Sequence, residues 1–101
     1  MEDRVSMLVI SGIGKLYDAD GKQFVATINY QIWEKPQTEH TLGEWEGEFT
    51  VDHVIWPLGE HILELEDGRR RKVILVGIGN TFLQSGQTIY NYPFQGSGPL
   101  E

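Results

Sequence analysis

Three glutamates alternate along one short segment, and paired carboxylates are the groups that catalyse glycoside hydrolysis. Glu44, Glu46 and Glu48 in EWEGEFTV share one side of a predicted strand, and the strand rise separates neighbours by about 7 Å. Inverting glycosidases hold their carboxylates at a similar distance, but catalytic carboxylates usually come from different strands and occupy unlike environments. We therefore interpret the row as a solvated strand face, a protected sheet edge or a docking surface for a basic partner.

The three histidines lack the spacing of a metal site. His40, His53 and His61 form neither an H-x-H nor an H-x-x-x-H pattern, so a zinc site would need ligands from distant parts of the chain. Because the chain has no cysteine, thiolate ligands, disulfides and a cysteine nucleophile are excluded. The sequence predicts no catalytic residue, no metal and no cofactor. An enzyme that uses the glutamates or the histidines stays the second alternative.

Half of the eight lysines and arginines stand in one run, composed of Arg69, Arg70, Arg71 and Lys72. An uncompensated run of this kind binds phosphate groups. Here acidic residues precede it, and Asp67-Gly68 is a hairpin signal. We therefore predict a hairpin over 63–76 and no nucleic-acid partner.

The length of the hairpin loop decides which charges face each other. A two-residue loop would place Glu66 opposite Arg69, whereas a three-residue loop with a glycine bulge would place Glu64 opposite Arg70. Either register pairs opposite charges across the two strands, which stabilises a hairpin by about 0.2–1 kcal/mol per pair.

Aromatic side chains are the best candidates for a binding surface. Trp33 lies on the polar face of its predicted strand, Trp56 lies in the loop WPLGE, and Tyr90 and Tyr92 belong to the last strand pair. Exposed Trp and Tyr mark contact surfaces for protein or sugar, although each can equally close an end of the fold. In a ligand-binding barrel, Trp33, Trp56 and Tyr92 would line one mouth.

The charge and the N-terminal segment indicate a compartment and exclude some partners. The net charge is −7 at pH 7, and such a surface repels phosphates and anionic lipids. The start MEDRV is acidic and differs from the basic start of a signal peptide. No stretch approaches the roughly 20 apolar residues of a membrane span. We expect a soluble cytoplasmic protein that binds neither nucleic acid nor membrane.

Alternation of apolar and polar residues predicts strands along nearly the whole chain, with turn residues between them. A chain of 101 residues forms one domain. We predict an all-β fold, a small single-domain barrel or sandwich of six to seven mostly antiparallel strands, with at most one short helical turn around 52–56. The domain is expected to span 1–95, followed by a flexible C-terminal tail over 96–101. Both Gly-Ile-Gly triplets, 12–14 and 77–79, are interpreted as bends within strands.

Strand parity also predicts the core. The predicted interior positions are Phe24, Ile28, Tyr30, Trp45, Phe49, Leu63, Leu65, Leu75 and Val76, whereas the three glutamates face water. A slip of one residue in EWEGEFTV would bury carboxylates and expose Trp45 and Phe49, which is energetically untenable.

These features favour a non-catalytic protein-interaction or assembly module that forms a homo-oligomer, or binds a protein partner, through an open sheet edge or an aromatic face. The alternative is a barrel that binds a small ligand or a carbohydrate with its exposed aromatic residues. About eight strands are needed before a barrel interior holds a ligand, so six or seven strands favour the first hypothesis.

Overall fold

The computed structural model describes residues 8–35 and 44–97, which form one antiparallel sheet of seven strands. The strands are β1 (Leu8–Tyr17), β2 (Phe24–Lys35), β3 (Glu44–Val51), β4 (Gly59–Glu64), β5 (Arg70–Leu75), β6 (Asn80–Gln84) and β7 (Gln87–Ser97). The described residues contain no helix, and so none that is long and apolar enough to cross a membrane. The predicted all-β fold is confirmed, and the short helical turn that was allowed around 52–56 is not formed.

Six of the strands close into a barrel. They follow the order β3-β2-β1-β4-β5-β7, and β7 pairs back onto β3, so the fold is a barrel and not a sandwich. Phe49 lies opposite Tyr92 in the closing pair. The remaining strand, β6, lies outside the closed barrel and, within 8–35 and 44–97, pairs only with β7. β6 therefore extends the sheet beyond the six strands that close the barrel.

The barrel interior is filled by side chains. Seven of the predicted core residues are buried, namely Ile28, Tyr30, Trp45, Phe49, Leu63, Leu65 and Leu75. Two predictions are wrong, because Phe24 and Val76 are exposed. Tyr17 pairs with Phe24 while Leu16 pairs with Ala26, and this bulge reverses the parity of Phe24. Val76 follows the last residue of β5 and faces outward.

The first Gly-Ile-Gly triplet contains no β-bulge. Gly12 and Gly14 lie in the regular part of β1, opposite Tyr30 and Ile28. A Cβ atom at either glycine would overlap the Tyr30 side chain. Because glycine has no side chain, the Tyr30 ring fits against β1 at these two positions. The second triplet, 77–79, lies in the connection between β5 and β6.

The hairpin predicted over 63–76 is confirmed and has the three-residue loop. Glu64 pairs with Arg70, and the Leu65 N–H donates to the Arg69 carbonyl at 2.7 Å. Gly68 adopts a φ of 94°, a conformation that glycine reaches without a steric cost. The register with Glu66 opposite Arg69 is wrong, because it needs a two-residue loop.

β7 extends past the predicted boundary between domain and tail. Gly96 pairs with Val73, and Ser97 pairs with Lys72. The first two residues of the predicted tail are therefore part of the barrel wall. The remainder of the predicted tail, 98–101, lies outside the described residues.

Candidate functional site

Several cations of the basic run have carboxylate partners on the surface. Arg69 Nε lies 2.8 Å from Asp67 Oδ2, and Lys72 Nζ lies 3.8 Å from Glu60 Oε1. The pKa of Asp67 is held below its ordinary value, first by a hydrogen bond from the Arg69 backbone N–H and then by the Arg69 side chain. These contacts neutralise part of the run. Among the described residues Arg71 has no carboxylate partner: its Nη1 donates to the Arg70 carbonyl, and its buried Nε has no hydrogen-bond partner.

Arg70 joins the hairpin to the turn between β1 and β2. Its Nε donates to Glu64 Oε1 at 3.0 Å, and this hydrogen bond raises the pKa of Arg70 above its ordinary value. Its guanidinium carbon lies 4.3 Å from the centroid of the Tyr17 ring, and its Nη1 donates to the Gly21 carbonyl at 3.0 Å. The contacts of this side chain hold two parts of the barrel together.

Two predicted carboxylates lie on the outer wall. Glu46 and Glu48 are half-buried there, and the side chain of Glu44 lies outside the described part of the chain. Glu46 and Glu48 border an open groove of about 300 Å³ that Trp33 also lines. A neighbouring groove of about 450 Å³ shares Glu48 and is otherwise lined mainly by the outer faces of β1, β2 and β3.

The histidines do not form a common site. His53 is exposed, and its Nδ1 lies 2.9 Å from Asp52 Oδ1. His61 is buried, with its Nδ1 3.2 Å from the Gly59 carbonyl. His40 lies outside the described residues. Across 8–35 and 44–97, no group of three or more acidic, histidine or cysteine side chains is arranged to hold a metal ion.

The four candidate aromatic residues occupy different surroundings. Trp56 is 77% exposed, whereas Trp33 and Tyr90 are partly buried. Tyr92 is fully buried, and its hydroxyl accepts a hydrogen bond from the Ile55 N–H at 2.8 Å. Tyr92 is therefore part of the core and not of a binding surface.

The two tryptophans do not share a mouth of the barrel. Trp33 pairs with Glu46 near the start of β3, whereas Trp56 follows the end of β3 in the loop 52–58. The prediction that Trp33, Trp56 and Tyr92 line one mouth of the barrel is therefore wrong.

The most distinctive surface feature is the hairpin of β6 and the start of β7, which we call the arm (residues 80–91). Ser85 and Gly86 form its two-residue turn with φ angles of 54° and 79°, and two positive values are typical of a type I′ turn. Among the strands of the described residues, β6 packs only against β7. The Gln87 side chain donates to Asp52 Oδ2 at 3.2 Å and so steadies the arm against the loop 52–58.

The arm exposes apolar side chains. All five residues of β6 are exposed, including Phe82 at 42% and Leu83 at 75%. The loop 52–58, with the exposed Trp56, connects strands at the same end of the barrel as the arm. Exposed apolar side chains at one end of a small protein are candidates for an interaction site.

The last strand pair was predicted from the sequence, but its outer edge was not singled out as a candidate site, although the sequence holds a signal for it. Residues 73–100 contain no Asp, Glu, Lys, Arg or His, in a chain in which 23% of residues are charged. Charged residues usually protect the edge of a sheet against pairing with another chain. An uncharged run that includes an edge strand therefore indicates an edge that is open to pairing.

Comparisons of the chain with protein families, with curated proteins and with solved structures found no match.

Proposed function

We propose that this protein is a non-catalytic assembly module whose copies associate through the arm. The observation that carries the proposal is the outer edge of β6, which has no partner strand in the described structure and carries exposed Phe82 and Leu83. A strand edge presents a row of backbone donors and acceptors, and these groups pair readily with another strand. A second copy of the same chain supplies such a strand.

The composition of β6 supports this reading. The strand NTFLQ contains no charged residue and no proline, which are the usual protections of an edge. Another incompletely paired edge in the described structure, on β1 before Lys15, is protected differently. There Glu66 accepts a hydrogen bond from the Ile13 N–H at 3.0 Å and places a carboxylate beside that edge.

The charge distribution favours the arm over the rest of the surface as a contact between copies. The net charge of −7 arises entirely outside residues 73–100. The remaining surface carries net negative charge, so contacts between two copies through it are on average opposed by repulsion. Two arms meet without that cost.

The expected association is weak. Burying a Leu or Phe side chain stabilises a contact by about 1.5–3 kcal/mol, and association itself costs about 4–15 kcal/mol. A five-residue edge is short, so the interface falls in the size class below about 1,200 Å² that is typical of transient complexes. We expect a dissociation constant in the micromolar range or above.

The ligand-binding alternative has less support from the geometry. The barrel interior holds a continuous core cluster, and the two grooves beside Glu48 lie on the outer wall. Trp33 lines one of these grooves but is partly buried, and Trp56 lies at the other end of β3. A sugar-binding platform needs exposed aromatic rings that act together.

The test is the mass in solution as a function of concentration. We expect the weight-average mass to rise above 11.5 kDa across a sedimentation-equilibrium series from about 10 µM to about 1 mM. Leu83→Lys places a charge on the edge and should keep the protein monomeric. Ile13→Lys is the matched control, because Ile13 is 59% exposed on β1. A mass of one chain at every concentration, or an equal effect of the control, contradicts the proposal.

A further inference from the structure

The type I′ turn determines which backbone groups of β6 point outward. In a two-residue hairpin the residues that flank the turn form a hydrogen-bonded pair, and such pairs alternate along the ladder. Gln84 and Gln87 flank this turn, and Phe82 pairs with Ile89 two residues further on. The N–H and C=O groups of the intervening residues, Thr81 and Leu83, therefore point away from β7 towards the open edge.

We propose, on the basis of the assembly function above, that two copies join their β6 strands antiparallel about a twofold axis at Phe82. Residue 81 of one copy then pairs with residue 83 of the other, and residue 80 pairs with residue 84. Thr81 and Leu83 exchange two hydrogen bonds in each of the two equivalent pairs. All four outward groups of each strand are satisfied, and the interface is the same patch on both copies, as twofold symmetry requires.

Neighbouring registers satisfy fewer of these groups. An axis at Leu83 would set Thr81 opposite Ser85, which belongs to the turn and is not extended. An axis at Thr81 would set Leu83 opposite Gly79, whose N–H already donates to the Asn91 carbonyl at 2.7 Å. Because unpaired backbone groups are costly when a contact removes them from water, the axis at Phe82 is favoured.

The side chains agree with the same register. The two Phe82 residues face each other in a pair without backbone hydrogen bonds, where Cα atoms are about 4.5 Å apart and side chains approach closely. Ile89 lies beside each Phe82 on the same face, so four apolar side chains meet. Asn80 lies opposite Gln84 of the second copy, and these amides donate and accept hydrogen bonds in turn. No charge enters the contact.

Disulfide formation tests the register, because the chain has no cysteine of its own. Asn80→Cys and Gln84→Cys proteins should cross-link when they are mixed under glutathione disulfide, and each alone should not. Phe82→Cys should cross-link by itself. A Cα separation of about 4.5 Å lies within the range that disulfides span. Ile13→Cys, which is distant from the axis, is the control and should remain monomeric under the same conditions.

The possible results distinguish a failure of the proposed register from a failure of the assembly function on which it rests. The register is wrong, but the assembly function is kept, if three results occur together. Leu83→Lys abolishes the dimer, Leu83→Cys cross-links by itself, and the mixture of Asn80→Cys and Gln84→Cys does not cross-link. A wild-type mass of one chain throughout the concentration series overturns both. Cross-linking of the mixture at least tenfold above either single variant supports the register.

Discussion

The hydroxyl group of Tyr92 lies within hydrogen-bond distance of both backbone polar groups of Ile55, 2.8 Å from its N–H and 3.5 Å from its carbonyl. Tyr92 is on β7 and Ile55 is in the loop that follows β3, and both are buried. The ring also stacks on Phe49 with centroids 5.3 Å apart. This contact fixes the loop to the interior of the barrel while Trp56, the next residue, stays exposed.

Removal of the Tyr92 hydroxyl tests this anchor. In Tyr92→Phe the buried Ile55 N–H loses its partner, and an unsatisfied buried group of this kind costs about 1–3 kcal/mol. The free energy of unfolding from urea titration should fall by that amount. Tyr90→Phe is the control, since Tyr90 is only partly buried, and an equal loss in the control would show that the anchor is not specific.

A comparison of two neighbours on β3 tests the orientation of the strand. Phe49 is buried against Phe94 and Tyr92, so Phe49→Ala should lower the free energy of unfolding by about 3–5 kcal/mol. Glu48 points to the outer wall, and Glu48→Ala should change it by less than about 0.5 kcal/mol. Similar midpoints of denaturation for the two variants would contradict this orientation of β3.

The parity of side chains is local information, and this is why the core of β3 could be predicted. Trp45 and Phe49 alternate with glutamates, and only one orientation of such a strand avoids burying charge. The bulge that exposes Phe24 could not be predicted, because it depends on how Tyr17 pairs across the sheet. The closure of β7 onto β3 is also a long-range property.

The candidate site was harder to predict than the fold. Tyr92 and Trp56 look equivalent as aromatic residues in the sequence, but the pairing of β7 with β3 buries Tyr92. Leu83 lies in the last strand pair that the sequence predicts, yet its exposure depends on β6 lying outside the closed barrel. A strand is an edge when no other strand pairs with one of its sides. The residue pattern within the strand does not show whether such a neighbour is present.

The turn between β1 and β2 should respond to acid. The Asp18 carboxylate accepts hydrogen bonds from the backbone N–H groups of Gln23 and Lys22, and these lower its pKa below the ordinary value. A lowered folded-state pKa stabilises the protein above the unfolded pKa of about 3.9, and this contribution is lost as the pH falls through the folded value. Asp18→Asn should therefore be less stable than the wild type at pH 7.

The stability difference between wild type and Asp18→Asn should shrink as the pH is lowered from about 5 to about 2. Urea titrations across that range measure it. Asp20→Asn removes the same charge from the same turn without removing those two hydrogen bonds, and is the control. A difference that stays constant down to the lowest pH would show that ionisation of Asp18 does not stabilise the turn.

Amide hydrogen exchange along β6 is the most direct measurement of assembly through the arm. Within each chain the N–H of Phe82 faces β7, whereas the N–H groups of Thr81 and Leu83 face the open edge, by the alternation of the ladder. As the protein concentration rises, exchange at Thr81 and Leu83 should slow in proportion to the dimer fraction, and Leu83→Lys should abolish the dependence for Thr81. Exchange rates at Thr81 and Leu83 that do not change over the same concentrations, in samples whose mass rises, would contradict pairing through this edge.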